Sequence, residues 1–418
     1  VNKRFLTIHF VSMRIVSLIR IVQKQHLHKM KNKFLMILLA GFSFTACGQD
    51  FQIKTKTASV EKIQKIASQH LNAKEDNFLI EDYFTTNTNI DSKVISWMSN
   101  MSDEDKVAQL IMPAMGRLGQ SEETIMKLVD EKKIGGILML NGTKDQFSSW
   151  ISKINAKNNS LGATPFLYSA DAEPTLFNRK ITGTDVVKKA SEILTENDAR
   201  IVAQQISKEL NAIGINYNFA PVSDMASNGT VGYRGFGKDP KNIVPFSQAF
   251  VEESQKANIM ATIKHFPGHG LVSGDTHKSL QVINGELKEL DNFKQLIAKN
   301  VPSVMIGHLA IENNEKYNTN GLPATVSPVI LQTLLREELQ FKGLIVTDAM
   351  NMGGVTQVPN VYVKSIEAGV DILLMPLDAN KAHADILKQY KSDDTFKKSV
   401  DEAVTRIIRM KVCMGLIK

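Results

Sequence analysis

Cysteine is nearly missing from this chain: 418 residues contain two, Cys47 and Cys413. A disulfide framework is therefore excluded as the source of stability, and a packed core must supply it. Acidic residues are absent from positions 1–46, which carry Lys3, Arg4, Arg14, Arg20, Lys24, Lys29, Lys31 and Lys33. The formal net charge of +7 comes from 50 basic and 43 acidic residues, and setting those positions aside leaves 42 against 43. The basic excess belongs to a leader, so the rest of the chain lacks the imbalance that a nucleic-acid partner would require. A membrane-spanning run is lacking in the leader too, because the apolar stretch from Phe34 to Phe44 is too short to cross a bilayer. What is present, 43% hydrophobic and 22% charged residues, excludes collagen-like, coiled-coil and wholly disordered chains.

From Met30 the leader reads Met-Lys-Asn-Lys, then the apolar run, then Thr45-Ala46-Cys47-Gly48. A basic start, a short apolar centre and small residues before a cysteine form the layout of a secretory signal whose cysteine receives lipid. Translation is expected to begin at Met30, with residues 1–46 as signal or leader and Cys47 as the lipid anchor. Phe44 departs from the leucine usual at the start of such a lipid signal. Residues 47–75 are polar without an apolar period, as a tether would be. The expected location is the cell envelope, as a periplasmic or outer-membrane lipoprotein. Cys413 falls in an apolar C-terminal segment and reads as a packed thiol.

Short apolar runs recur through the remainder, each followed by a loop and a stretch of helical period. They are Gln109–Met112, Gly136–Leu140, Phe166–Ala170, Ile215–Phe219, Met260–Ile263, Ser303–Gly307, Gly343–Thr347 and Ile372–Met375. Amphipathic stretches such as Asn197–Ile213, Pro240–Lys256, Leu287–Asn300 and Pro328–Leu339 lie between them. Eight buried strands alternating with helices predict a single α/β domain over residues 76–418, a (β/α)8 TIM-like barrel. A doubly wound open sheet satisfies the same periodicity and stays open as the competitor.

A barrel carries its chemistry at the carboxyl ends of its strands. Asp171, the pair Lys264-His265, His308 and Asp348 each follow such a run directly. A single aspartate there could simply cap the next helix; four convergent polar ends predict a site. After Lys264 the chain continues His265-Phe266-Pro267-Gly268-His269-Gly270 and reaches Asp275-Thr276-His277. Asp275 can hold the His277 imidazole in one tautomer and stabilise its protonated form, which makes His277 a candidate general acid/base. His265, His269, Asp275, His277 and His308 are also possible zinc ligands. Pro267-Gly268 prevents His265 and His269 from forming a helical pair, and the expectation is no metal and no organic cofactor.

KHFPGHG followed by Asp-x-His, with GLIVTDAMNM further on, resembles the family 3 glycoside hydrolases, and within them the β-N-acetylhexosaminidase branch. MSDEDKVAQLIM, the segments 214–221 and 231–237, and the closing AVTRIIRMKVCMGLIK extend the likeness over most of residues 101–418. The resemblance implies a retaining glycosidase in which Asp348 is the nucleophile and His277 the acid/base, with Asp275 as its partner. It implies substrate contacts from Asp171, Arg179, Arg234, Lys264 and His265. The implied substrate is a terminal N-acetylglucosaminide, including peptidoglycan fragments, and the expected protein is a monomer without a nucleic-acid partner. Where the family commonly has Asp-x-Glu-Gly-Gly-Arg-Val, this chain has Asp171-Ala-Glu173-Pro174-Thr175-Leu176-Phe177. Losing two glycines changes the loop backbone and with it the placement of Arg179. A phosphorylase on the same fold and a non-catalytic sugar-binding lipoprotein are the alternatives, and a metal-dependent barrel hydrolase is a third.

Overall fold

A computed structural model describes residues 77–418 except Ala226. The signal, Cys47 and the tether lie outside the described residues. Among those described, eight parallel staves follow one another in chain order around a ring. They are β1 (Ile111–Met112, resuming after Pro113 as Ala114–Met115), β2 (Gly136–Met139), β3 (Leu167–Ala170), β4 (Tyr217–Asn218), β5 (Met260–Phe266), β6 (Ser303–Ile306), β7 (Leu344–Thr347) and β8 (Leu373–Leu374). Each stave pairs with the next, and Leu373 and Leu374 of β8 pair with Ile111 and Met112 of β1. That closure decides between the two expected architectures: the sheet is a TIM-like barrel and has no open edge.

The staves are buried at every position, because the ring's interior covers one face and the helices cover the other. Those helices are α1 (Glu122–Asp130), α2 (Lys144–Ser160), α3 (Glu196–Ile213), α4 (Pro240–Lys256), α5 (Leu290–Ile297), α6 (Val329–Glu338, wound wide as a π-helix), α7 (Val361–Ala368), α8 (Ala379–Ser392) and α9 (Asp394–Cys413). Their ends are written locally. Thr195 and Asp198 form a reciprocal capping box at the start of α3, and Gly214, at φ 95°, ends it in the left-handed conformation. Asp239 caps α4 ahead of Pro240, whose missing N–H is no loss in a first turn. Cys413 is buried in the core at the end of α9, and that burial pushes its thiol up to about 12.

The lower end of the barrel is fastened by charge. Asp371, fully buried just before β8, accepts from Arg336 at 2.7 Å, Arg406 at 2.8 Å and the Ile345 amide at 2.7 Å. A carboxylate so far from water persists only when its lone pairs are satisfied in this way. The observed β5 corrects one expectation. The strand does not stop at Ile263; it runs to Phe266, with Ile306 opposite Phe266 and Val222 bridging Lys264. Lys264 and His265 are therefore strand residues, held by the ladder instead of by a loop.

Candidate active site

At the carboxyl ends of the staves lies a cavity of about 400 Å³. Its lining includes Asp171, Arg179, Lys180, Arg234, Lys264, His265, His269, His277 and Asp348. The site is built around Lys264. Its side chain rises from β5, only 1% exposed, and its ammonium lies 2.9 Å from Asp171 Oδ1 and 2.6 Å from Glu173 Oε1. Arg234 grips the same Glu173 with both arms of its fork, Nε at 2.8 Å and Nη2 at 2.5 Å, the bidentate geometry that suits a carboxylate. Lys180 takes the other oxygen of Asp171 at 2.6 Å. Burial would raise both carboxyl groups, but the surrounding cations outweigh it. Glu173 is held at about 2 by Arg234 and Lys264, and Asp171 is held well below the carboxylate range by Lys180 and Lys264.

The second layer is organised by Asp224, which follows β4 and is fully buried. Both of its oxygens accept from the His265 amide at 3.0 Å, Oδ1 accepts from the His269 amide at 2.8 Å, and Oδ2 lies 2.7 Å from His265 Nδ1. An ionised acceptor beside Nδ1 makes that nitrogen the donor and fixes the ring's orientation. His269 turns edge-on to His265, with ring centres 5.6 Å apart. It is 2% exposed, neither ring nitrogen has a partner among the described residues, and burial lowers its pKa to about 4. A neutral imidazole in the cavity wall offers one donor and one acceptor to whatever occupies the cavity.

Asp348 stands at the tip of β7, half-buried, its Oδ1 accepting from the Ala349 amide at 2.8 Å. Burial works to raise it; the neighbouring His265 and His308 imidazoles, the Ala349 amide and Lys264 prevail and hold it at about 2. His308 is spent on structure. It is fully buried, with Nδ1 at 2.7 Å from Thr325 Oγ1 and Nε2 at 3.0 Å from the Ala349 carbonyl, so it supports the Asp348 loop from behind. Across the mouth, His277 Nδ1 lies 2.7 Å from Asp275 Oδ1, whose oxygen also accepts the His277 amide at 3.0 Å. The His277 side chain is 58% exposed. Its backbone is docked onto the Asp348 loop: the Gly353 amide donates to the His277 carbonyl at 3.0 Å and the Gly354 amide to that of Thr276 at 3.1 Å. A side chain at Gly353 would run into the Lys278 carbonyl at 2.2 Å, so only glycine permits this approach.

Asp348, His277, Asp171, Arg179, Arg234, Lys264 and His265 thus line one cavity, and Asp275 joins it through its hydrogen bond to His277. Arg179 lines the cavity with an exposed side chain, and its neighbour Lys180 makes the contact with Asp171. A short helical turn, Phe177–Lys180, follows the altered residues and rotates consecutive side chains apart. Sequence reasoning also missed Glu173, Asp224 and Glu289 as organisers. Glu289 is buried under the His269 loop, with Oε1 accepting from Met225 N at 2.6 Å and Oε2 from Leu271 N at 3.1 Å. Burial and the nearby Asp224 charge push it up to about 8.

Fold and cavity define a (β/α)8-barrel protein whose site, at the carboxyl ends of its staves, sets carboxylates against an imidazole on the loop after β5. The chain belongs to glycosyl hydrolase family 3: the profile described as "Glycosyl hydrolase family 3 N terminal domain" matches residues 102–410. It is similar to Beta-hexosaminidase A of Pseudoalteromonas piscicida, 35% identical over 209 residues, which cover 45% of this chain and 35% of that protein. A Beta-hexosaminidase of Methylococcus capsulatus is 29% identical over 273 residues, covering 61% of this chain and 78% of the relative. Among solved structures, a family 3 beta-N-acetylglucosaminidase from Paenibacillus sp. str. FPU-7 superposes with a TM-score of 0.70 at 28% identity, over 76% of this chain and 63% of its own. The chain thus spans about a third of the Pseudoalteromonas protein and under two thirds of the Paenibacillus one.

Proposed function

We propose that this protein is a retaining β-N-acetylhexosaminidase that removes terminal N-acetylglucosamine through a covalent glycosyl-aspartate. The observation that carries the reading is that an ionised carboxylate, Asp348, and a carboxylate-oriented imidazole, His277, line one cavity with the charged and polar groups Asp171, Arg234, Lys264 and His265. In the first half-reaction an Asp348 oxygen bonds to the anomeric carbon as the glycosidic C–O bond breaks, and His277 gives its proton to the departing oxygen. In the second, His277 takes a proton from water, the water oxygen bonds to the anomeric carbon, and Asp348 leaves with its electron pair. Two displacements at one carbon retain its configuration. Asp275 keeps Nδ1–H paired through both steps and stabilises the imidazolium. Asp171 and Lys264 face the sugar as acceptor and donor, and neither half-reaction calls for a metal or organic cofactor.

The leader supports a lipoprotein anchored at Cys47 in the cell envelope, where peptidoglycan fragments are the matching substrates. A histidine acid/base, unlike a carboxylate one, is not itself an anion after giving up its proton, so phosphate can compete with water for the glycosyl-enzyme; a phosphorylase is the second reading. Release of nitrophenol from the N-acetylglucosaminide and from the glucoside, with and without phosphate, tests both. The hydrolase reading expects turnover of the N-acetylglucosaminide alone in plain buffer. Phosphate-dependent formation of a sugar 1-phosphate would favour the phosphorylase, and failure to turn over either glycoside would leave a sugar-binding lipoprotein.

A further inference from the structure

The His277 side chain is exposed and that of Asp275 half-buried, so their position depends on the loop's backbone, which buries only Thr276 between them. One side of that loop is fixed by the Gly353 and Gly354 amides from the Asp348 loop. The opposite side meets Asn228, a residue of the β4 loop that is 5% exposed. Its amide nitrogen donates to the carbonyls of Val272 at 2.6 Å and Gly274 at 2.9 Å. Its amide oxygen accepts from the Thr230 amide at 2.6 Å and the Val231 amide at 3.3 Å. All four hydrogen-bonding positions of the side chain are filled. The network also fixes which atom is which, since a flipped amide would set NH2 against two N–H groups and oxygen against two carbonyls.

The two pairs of bonds reach different machinery. Thr230 and Val231 open the turn that carries Arg234: the Asn228 carbonyl accepts from Gly232 N at 2.8 Å and the Val231 carbonyl from Arg234 N at 2.9 Å. Gly274 is the residue immediately before Asp275. Asn228 therefore cross-links the turn holding the Glu173-bound Arg234 to the backbone that presents the acid/base dyad. We propose that Asn228 is a positioning residue that sets where His277 stands relative to the sugar held beside Arg234, and so acts selectively on the proton-transfer step. The inference rests on His277 being the acid/base. A displacement of about 1 Å at a reacting group can cost on the order of 100-fold in rate, and the exposed His277 ring relies on the loop's hydrogen bonds to limit such drift.

Asn228→Asp separates this role from a merely structural one. It keeps the oxygen that caps the Arg234 turn and removes both donors to the catalytic loop, setting a carboxylate oxygen against two carbonyls. The measurements are hydrogen exchange of the amides in residues 271–277 and kcat/KM, which reports formation of the glycosyl-enzyme, for aryl N-acetylglucosaminides with good and poor leaving groups, beside wild type and His277→Ala. Thermal unfolding of Asn228→Asp and Asn228→Ala accompanies them, because the alanine also loses the cap. The expected result for Asn228→Asp is faster exchange in that loop, competitive inhibition by N-acetylglucosamine unchanged within about twofold, and kcat/KM lowered on the order of 10- to 100-fold for poor leaving groups but far less for activated ones. Unchanged loop exchange, or an equal loss for every leaving group, overturns the proposal. A flat leaving-group dependence in His277→Ala would instead overturn the acid/base assignment beneath it, so the two failures are distinguishable.

Discussion

Replacing Glu173 by glutamine removes a negative charge from the middle of the site while keeping the side chain's size. The carboxylate is fully buried between Arg234 and Lys264, and those charges hold it at about 2 against an ordinary 4.5. A pKa lower in the folded state than in the unfolded one stabilises the fold fully above the unfolded value, and the contribution is lost as pH falls through the folded one. Its full size is roughly 3 kcal/mol, and by about pH 3.5 roughly half is gone. Removing one partner of a buried pair costs about 3 to 5 kcal/mol, the same range. Urea unfolding of wild type and Glu173→Gln from about pH 3 to pH 7 should therefore show a gap of roughly 3 kcal/mol near neutrality that narrows steadily on the acid side. A gap that stays constant with pH, or one below about 1 kcal/mol at neutrality, would refute the claim that this ion cluster is held in its charged form.

Other outcomes follow from the same geometry. Lys180→Ala should raise KM by roughly 10- to 100-fold, the worth of a lost charged hydrogen bond of about 1.5 to 3 kcal/mol, while Arg179→Ala changes it less; the reverse order in steady-state kinetics would make Arg179 the main substrate contact of this loop. Glu289 has the opposite linkage to Glu173: its raised pKa means that stability is present below about 4.5 and lost as pH rises toward about 8. Glu289→Gln should accordingly flatten the decline in melting temperature over that range, and an unaltered decline would exclude Glu289 as its source. Cys47→Ser should abolish lipid incorporation without changing the activity of the soluble domain, a result read by mass spectrometry of the mature N-terminus.

The barrel was legible because its staves are buried on both faces, which turns each into an apolar run that no surface strand would show. Asp171, His277 and Asp348 were legible for a related reason: a polar residue at the end of such a run, or a histidine two residues after an aspartate, is conspicuous in one dimension. The organisers were not. Glu173 and Asp224 differ from ordinary loop carboxylates only in what meets them, and their partners Arg234 and His265 lie 61 and 41 residues away. Asn228 resembled any turn asparagine, since its bonds to Val272 and Gly274 span 44 and 46 residues. The choice between Arg179 and Lys180 hinged on a helical turn after Pro174-Thr175, and a difference of one residue in phase is beyond what composition encodes. His308 shows the converse, a strand-end histidine that serves Thr325 and a backbone carbonyl instead of the cavity.

The central claim is that Asp348 becomes covalently bonded to the sugar while His277 handles the proton. Trapping with a slow fluorinated N-acetylglucosaminide, followed by peptide mass spectrometry, tests it directly in wild type and in His277→Ala. The account predicts one sugar per chain on the peptide containing Asp348. With an activated aryl leaving group, His277→Ala should accumulate that adduct, because the intermediate forms readily and water then lacks its base. Label on another carboxylate, or steady turnover of the ordinary substrate by Asp348→Ala, would contradict it.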